Sequence, residues 1–181
     1  YPLQPDDVVL YKTPYTFDAS VLELFWGPVT GRCTVIAEPE GHRDPVYLAG
    51  LMERERVTVV QFVPSLLSVF LDTVAGSAAF DSVERVFCGG EALPPAVYGR
   101  LVERVPGLSV TNLFGPTECA VYTESAALAG PLEIVPIGAP MPNTTAVVLD
   151  ARLHPVPAGV AGELYLGGVQ SARGYAARPE L

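Results

Sequence analysis

The chain has 181 residues, 49% of them hydrophobic and 17% charged, which is enough apolar character for a packed core and excludes a disordered chain. Eleven Lys and Arg stand against 20 Asp and Glu, and the resulting net charge of −9 excludes a nucleic-acid binder that works through clustered cations. No apolar run approaches the roughly 18 residues of a membrane span, and the opening Tyr1-Pro2-Leu3-Gln4-Pro5-Asp6-Asp7 is polar and acidic, unlike a signal peptide.

In chain order, Phe17-Asp18-Ala19-Ser20 leads into a helical run with Val21, Leu24 and Phe25 on one side. Asp18 or Ser20 reads as its N-cap. Alternatively, Asp18 pairs with a cationic ligand group such as an ammonium, because an isolated buried carboxylate is costly. Thr34 to Ala37 is a short apolar strand. Asp44-Pro45 then caps and opens a helix with Val46, Leu48, Leu51 and Met52 at roughly helical spacing and Glu53 to Arg56 at its wet end. Thr58 to Val63 is β-branched and apolar on both faces, as a central parallel strand is. Pro64-Ser65 starts a second helix with Leu66, Leu67, Phe70, Leu71 and Val74 as its stripe. Val83 to Cys88 is a strand ended by Gly89-Gly90, Pro94 and Pro95 open a helix to about Val105, and Leu108 to Phe114 is the next strand.

Strands alternating with helices at this spacing predict βαβ crossovers and a parallel sheet covered by helices on both faces. Open α/β sheets bind ligands beyond the carboxyl ends of their strands. Those ends are Gln61-Phe62, Phe87-Cys88-Gly89-Gly90-Glu91 and Asn112 to Glu118, so these segments are expected to line one crevice. After Ile137 the texture changes to strands joined by Pro- and Gly-rich turns, with no helix between Thr145–Asp150 and Gly162–Gly168. The expected division is an α/β subdomain over 1–137 and the start of a β-rich one over 138–181.

The three cysteines form neither a disulfide framework nor a CxxC metal site, and Cys33 and Cys88 are expected as small buried residues. With only His42 and His154 available, neither a zinc site nor a Cys/His nucleophile pair is expected. Gly115-Pro116-Thr117-Glu118 directly follows a strand. A glycine lets a ligand approach the backbone, the Thr hydroxyl can donate to a phosphate, and a carboxylate suits Mg²⁺. Read locally, the same four residues are also an ordinary turn, and Gly89-Gly90-Glu91 an ordinary entry to a helix whose N-terminus favours negative charge.

Taken together and in order, these segments resemble the adenylation domains of nonribosomal peptide synthetases, within the adenylate-forming enzymes. Four stretches carry the resemblance: Lys12 to Ser20, Phe87 to Leu93, Asn112 to Glu118, and Gly162 to Gly168 through Ala172-Arg173-Gly174-Tyr175. Val60 to Ser65 fits the strand that floors the family's pocket. The resemblance implies a flavodoxin-like α/β subdomain and a reaction in which an amino acid and ATP give an aminoacyl adenylate and pyrophosphate. The amino acid then passes to the phosphopantetheine thiol of a carrier protein, among neighbouring synthetase domains in the cytoplasm. By motif position, Asp18 holds the α-ammonium, and Ala19, Leu22, Gln61, Phe87, Gly89, Leu113, Val121 and Tyr122 complete the side-chain pocket. Gly89, Gly90, Glu91, Asn112, Phe114, Gly115 and Thr117 border the nucleotide. Thr117 and Glu118 serve the chemistry, with Glu118 on Mg²⁺. Phe114 stands where the family usually has Tyr, which keeps a stacking face and loses a hydroxyl.

Gln61 and Tyr122 are the uncharged polar groups of the pocket, so the resemblance leads to a small or uncharged polar amino acid, glycine-like or glutamine-like. The family's phosphate loop ending in Lys, its ribose-binding Asp and its C-terminal subdomain with the catalytic Lys do not occur in these residues, and Lys12 is not that lysine. The chain alone is therefore expected to show little adenylation activity. A non-catalytic scaffold with a retained pocket, or another acyl-adenylating ligase, are the alternative readings.

Overall fold

The computed structural model describes residues 1–178 and 180. In chain order the elements are β1 (Val8–Tyr11), α1 (Ser20–Thr30), β2 (Cys33–Ile36), α2 (Pro45–Arg54), β3 (Val59–Phe62), α3 (Pro64–Thr73), β4 (Arg85–Gly89), α4 (Pro95–Arg104), β5 (Ser109–Phe114), β6 (Glu124–Leu128), β7 (Ala139–Pro140), β8 (Thr144–Leu149) and β9 (Glu163–Gly168). One sheet holds seven strands in the order β2-β1-β3-β4-β5-β6-β7. Its first five strands are parallel, and β6 and β7 add to β5 antiparallel. β8 and β9 form a separate antiparallel pair.

The two faces of the sheet follow from strand alternation. Leu10, Val60, Phe62, Val86, Cys88 and Val110 point to one side, where α2, α3 and α4 supply Leu48, Met52, Leu67, Phe70 and Leu101. Val9, Val59, Phe87 and Leu113 point to the other, with Leu22 and Trp26 of α1 packed on them. Helices thus cover both faces. α2 starts as its sequence dictates: Asp44 Oδ1 accepts from the N–H groups of Val46 and Tyr47 at 2.9 and 3.1 Å, and Pro45 occupies the first turn.

Three differences from the expectations have physical causes. β1, β6 and β7 were not foreseen as strands. Val8–Tyr11 pairs with both β2 and β3, and the small and polar Glu124-Ser125-Ala126-Ala127-Leu128 has little β propensity, so its pairing with β5 is a tertiary outcome. In α1, neither Asp18 nor Ser20 is the cap. Ala19 holds that position with no side-chain bond, and the inward residues are Ser20, Glu23 and Gly27 while Val21 and Phe25 are exposed. The apolar stripe loses because Glu23 finds partners inside. Gly27 also lets α1 lie on β2, where a Cβ would stand 2.1 Å from Thr34 Oγ1. Finally, Cys33 is exposed on the edge strand β2, whereas Cys88 is buried in the centre of the sheet.

Candidate functional site

β3, β4 and β5 are neighbours in parallel register, so their carboxyl ends share one edge of the sheet. There, Gln61 pairs with Phe87 and Gly89 with Leu113. The loop from β5 to β6 folds back over this edge. Gly115 makes the return possible, because a Cβ on it would meet the Val121 carbonyl oxygen at 2.4 Å and Tyr122 Cα at 2.6 Å. Ala120 and Val121 take positive φ of 50° and 79°. For a β-branched residue that is a strained conformation, of the kind that surrounding structure must impose. Thr123 then rejoins the ladder by donating its N–H to the Phe114 carbonyl at 2.8 Å. The result is Tyr122 turned inward and buried.

Tyr122 lands in a polar network. Its hydroxyl donates to Gln61 Oε1 at 2.9 Å. Gln61 Nε2 in turn donates to the Ala19 carbonyl at 3.3 Å and Glu23 Oε1 at 3.5 Å. Glu23 also accepts from the N–H groups of Lys12 and Thr13 and from the Thr13 hydroxyl, at 2.9, 2.7 and 2.7 Å. Burial, and after it the carboxylates of Glu23 and Asp18, push the Tyr122 phenol far above its ordinary range, so it stays a hydrogen-bond donor at neutral pH. Asp18 is partly buried at the turn before α1, and its carboxylate makes no hydrogen bond among the described residues.

Two clefts open at this edge. One, of about 380 Å³, is lined by Leu22, Phe87, Leu113, Val121 and Tyr122 together with Tyr1, Val21, Trp26, Ala120, Met141 and Gln170. The last six are not among the residues expected from the motifs. Trp26 was within reach of them, since it stands one helical turn beyond Leu22, and its ring meets Phe87 edge-on at 5.2 Å. Of the remaining expected pocket residues, Gln61 bonds to Tyr122, Gly89 lies under its ring, and Ala19 contributes its carbonyl.

The second cleft, of about 320 Å³, is lined by Gly90, Glu91, Asn112, Phe114 and Gly115, with Leu93, Val135 and Ile137. Leu113 belongs to both. Asn112 is anchored by its Nδ2, which donates to the Pro136 carbonyl at 2.9 Å. Glu91 accepts from the Ser65 N–H and hydroxyl at 2.9 Å each, and so caps α3 from across the sheet edge. Thr117 and Glu118 stand outside both clefts on an exposed turn. Glu118 Oε1 accepts from the Tyr175 hydroxyl, which holds the carboxyl below its usual range, and the Glu118 carbonyl accepts from the Ala172 N–H at 2.7 Å. These two bonds tie the segment after β9 to the turn. Among the described residues no group of three His, Cys, Asp or Glu is arranged to hold a metal by itself. A wider hollow of about 760 Å³ lies at the opposite edge, beside Arg85 and Ser109 where β4 and β5 begin, away from all of these groups.

The family model described as AMP-binding enzyme matches residues 1–176. Phosphinothricin tripeptide synthetase PhsB of Streptomyces viridochromogenes is 50% identical over 181 residues, covering 100% of the chain and 15% of that protein. Enterobactin synthase component F of Escherichia coli is 45% identical over 192 residues, again covering 100% of the chain and 15% of the relative. The chain thus spans a small part of the length of the curated relatives it matches. Among solved structures, the nonribosomal peptide synthetase FmoA3 in its alpha-methyl-L-serine-AMP bound form superposes with a TM-score of 0.90 at 27% identity, over 97% of the chain and 21% of that protein.

Proposed function

The chain belongs to the AMP-binding enzymes, and from that premise we propose that it forms the amino-acid pocket and part of the nucleotide site of an adenylating ligase within a nonribosomal peptide synthetase. The reaction joins an amino-acid carboxylate oxygen to the α-phosphorus of ATP and releases pyrophosphate, giving an aminoacyl adenylate. The aminoacyl group then passes to the phosphopantetheine thiol of a carrier protein, in the cytoplasm. In-line attack of this kind needs positioning and charge neutralisation more than acid–base chemistry, and the crevice offers positioning groups.

The observation that carries this reading is the pair of clefts sharing Leu113 at the carboxyl ends of parallel strands, with the Asp18 carboxylate near enough to the Tyr122 phenol of the first to help raise its pKa. Asp18 holds the substrate ammonium, which supplies the partner that a half-buried carboxylate needs. That requirement favours an amino acid over an acyl substrate without an amine. Leu22, Phe87, Gly89, Leu113, Val121 and Tyr122 enclose the side chain, with Ala19 and Gln61 behind. Phe114 lies against adenine, and Gly90, Glu91, Asn112 and Gly115 border the nucleotide. Thr117 donates to phosphate. Glu118 suits Mg²⁺: it is exposed, and the hydrogen bonds from Tyr175 and from its own backbone hold its carboxyl below the usual range, which favours the ionised form. Mg²⁺, when bound, neutralises phosphate charge that this acidic chain cannot.

The test is amino-acid-dependent ATP–pyrophosphate exchange by the full-length protein that carries this chain, as wild type and Asp18→Ala. Exchange is expected for the wild type and a loss of about 100-fold for the variant, on the scale of an unpaired buried charge. Undiminished exchange in Asp18→Ala sinks the role given to Asp18.

A further inference from the structure

Ala172-Arg173-Gly174-Tyr175 carries part of the resemblance to the family, yet none of its residues lines either cleft. The segment to which it belongs is rooted on the β8–β9 pair. There the Thr144 hydroxyl donates to Gln170 Oε1 at 2.8 Å, and the Val169 N–H donates to the Asn143 carbonyl at 3.3 Å. From that root the segment crosses to the β5–β6 loop and meets Glu118 twice. The Ala172 N–H donates to the Glu118 carbonyl at 2.7 Å, and the Tyr175 hydroxyl donates to Glu118 Oε1.

Gly174 makes the second contact possible. Its φ of 124° lies where residues with a Cβ are strained, while no atom stands within 4 Å of the place a Cβ would take. The glycine therefore serves the bend of the backbone and not close packing. That bend returns the Tyr175 ring to the residue that Ala172 already holds. One bond fixes the Glu118 main chain and the other its carboxylate, so the side chain is held at both ends. No other side chain bonds to that carboxylate among the described residues. An exposed glutamate left free has rotamer entropy to lose when it takes a ligand, and here part of that loss is met in advance. A carboxylate offers about four acceptor sites. The Tyr175 hydroxyl and the N–H of Glu118 itself do not fill them, so the bond orients the group without blocking it.

We propose that Tyr175 is a positioning residue for the metal site: through its hydroxyl it presents the Glu118 carboxylate to Mg²⁺, so that the segment after β9 preorganises the turn at Thr117–Cys119. Tyr175 acts through Glu118 and is not itself a ligand. The inference rests on the reading of Glu118 as the Mg²⁺ residue given above. Hydrogen-bonded support of a ligating carboxylate is typically worth about tenfold or more in metal affinity.

The experiment is calorimetric titration of ATP, without amino acid, into the full-length protein that carries this chain, once with saturating Mg²⁺ and once with EDTA. The ratio of the two Kd values reads what the metal contributes. It is measured for wild type, Tyr175→Phe, Glu118→Gln and the double variant. Tyr175 is half exposed, so removal of its hydroxyl leaves the core intact. Tyr175→Phe is expected to shrink the Mg²⁺-dependent gain about tenfold. Its ATP affinity in EDTA and its KM for the amino acid in exchange are expected to stay at wild-type values, which separates positioning from general damage to the fold. The double variant is expected to lose no more than Glu118→Gln alone, because the two residues act as one unit. A full Mg²⁺ gain in Tyr175→Phe, where Glu118→Gln loses it, overturns the inference and leaves the Mg²⁺ reading of Glu118 standing. A further loss in the double variant overturns it as well, since Tyr175 then acts by another route. A full gain in Glu118→Gln overturns the Mg²⁺ reading and the inference with it.

Discussion

Lys12 Nζ lies 3.6 Å from Glu23 Oε1, and both side chains are almost wholly buried between the end of β1 and the inner face of α1. The ammonium also sits over the Phe62 ring, 5.1 Å from its centre. Burial draws the Lys12 pKa down and the Glu23 charge draws it back up, the first effect being the larger. The only lysine in the sequence is thus committed to holding the carboxylate that orients Gln61.

Removing one partner of this pair leaves the other charged and unpaired. Glu23→Ala also strips the Lys12 and Thr13 N–H groups of their acceptor. Thermal or denaturant unfolding of the protein is expected to show a loss of about 3–5 kcal/mol. The paired replacement Lys12→Met with Glu23→Leu is expected to recover only part of it, because the two apolar groups need no partner while the Lys12 and Thr13 N–H groups still lose theirs. A single Glu23→Ala as stable as wild type would show that the pair is not buried in solution.

The two strand cysteines are expected to differ in reactivity and in their effect on pH dependence. Cys33 is exposed and open to thiol reagents, while Cys88 is labelled only on unfolding. Burial pushes the Cys88 thiol from an ordinary 9.0 up to about 12. Between those values the unfolded chain has released the proton and the folded chain keeps it. The stability this contributes is whole below 9.0 and is lost as pH rises toward about 12. Unfolding measured across that alkaline window is expected to steepen with pH in wild type and to flatten in Cys88→Ala.

Gly115→Ala is expected to act on the pocket from outside it. The new Cβ meets backbone atoms of Val121 and Tyr122 at 2.4 and 2.6 Å, and backbone cannot yield as a side-chain tip does. Overpacking of this kind costs about 1–3 kcal/mol in stability. The displaced Tyr122 is expected to lose its bond to Gln61, so exchange activity falls further than stability alone explains. Wild-type kinetics in Gly115→Ala would contradict this positioning of Tyr122.

Much of the fold was legible in the residues. β-branched runs such as Thr58 to Val63, and helices opened by Asp44-Pro45, Pro64 and Pro95, are local signals, and each appears within a few residues of its expected place. The strand-end rule selected Gln61, Gly89, Glu91, Asn112 and Gly115 before any contact was known. What stayed hidden depends on distant partners. Val21, Leu24 and Phe25 marked the wrong face of α1, because periodicity cannot foresee that Glu23 meets a buried lysine.

Sequence by itself determined the alternating α/β architecture, the family, and which loops gather at the carboxyl ends of the strands, since these rest on propensities and motifs that span a few residues. Tertiary structure alone decided how those loops are used. Gln61 and Tyr122 are 61 residues apart and each reads as a free hydrogen-bonding group, yet they satisfy one another. Glu91 likewise closes on Ser65, 26 residues away, and caps a helix. A buried polar group is defined by the partner it meets, and that partner is set only when the chain closes on itself.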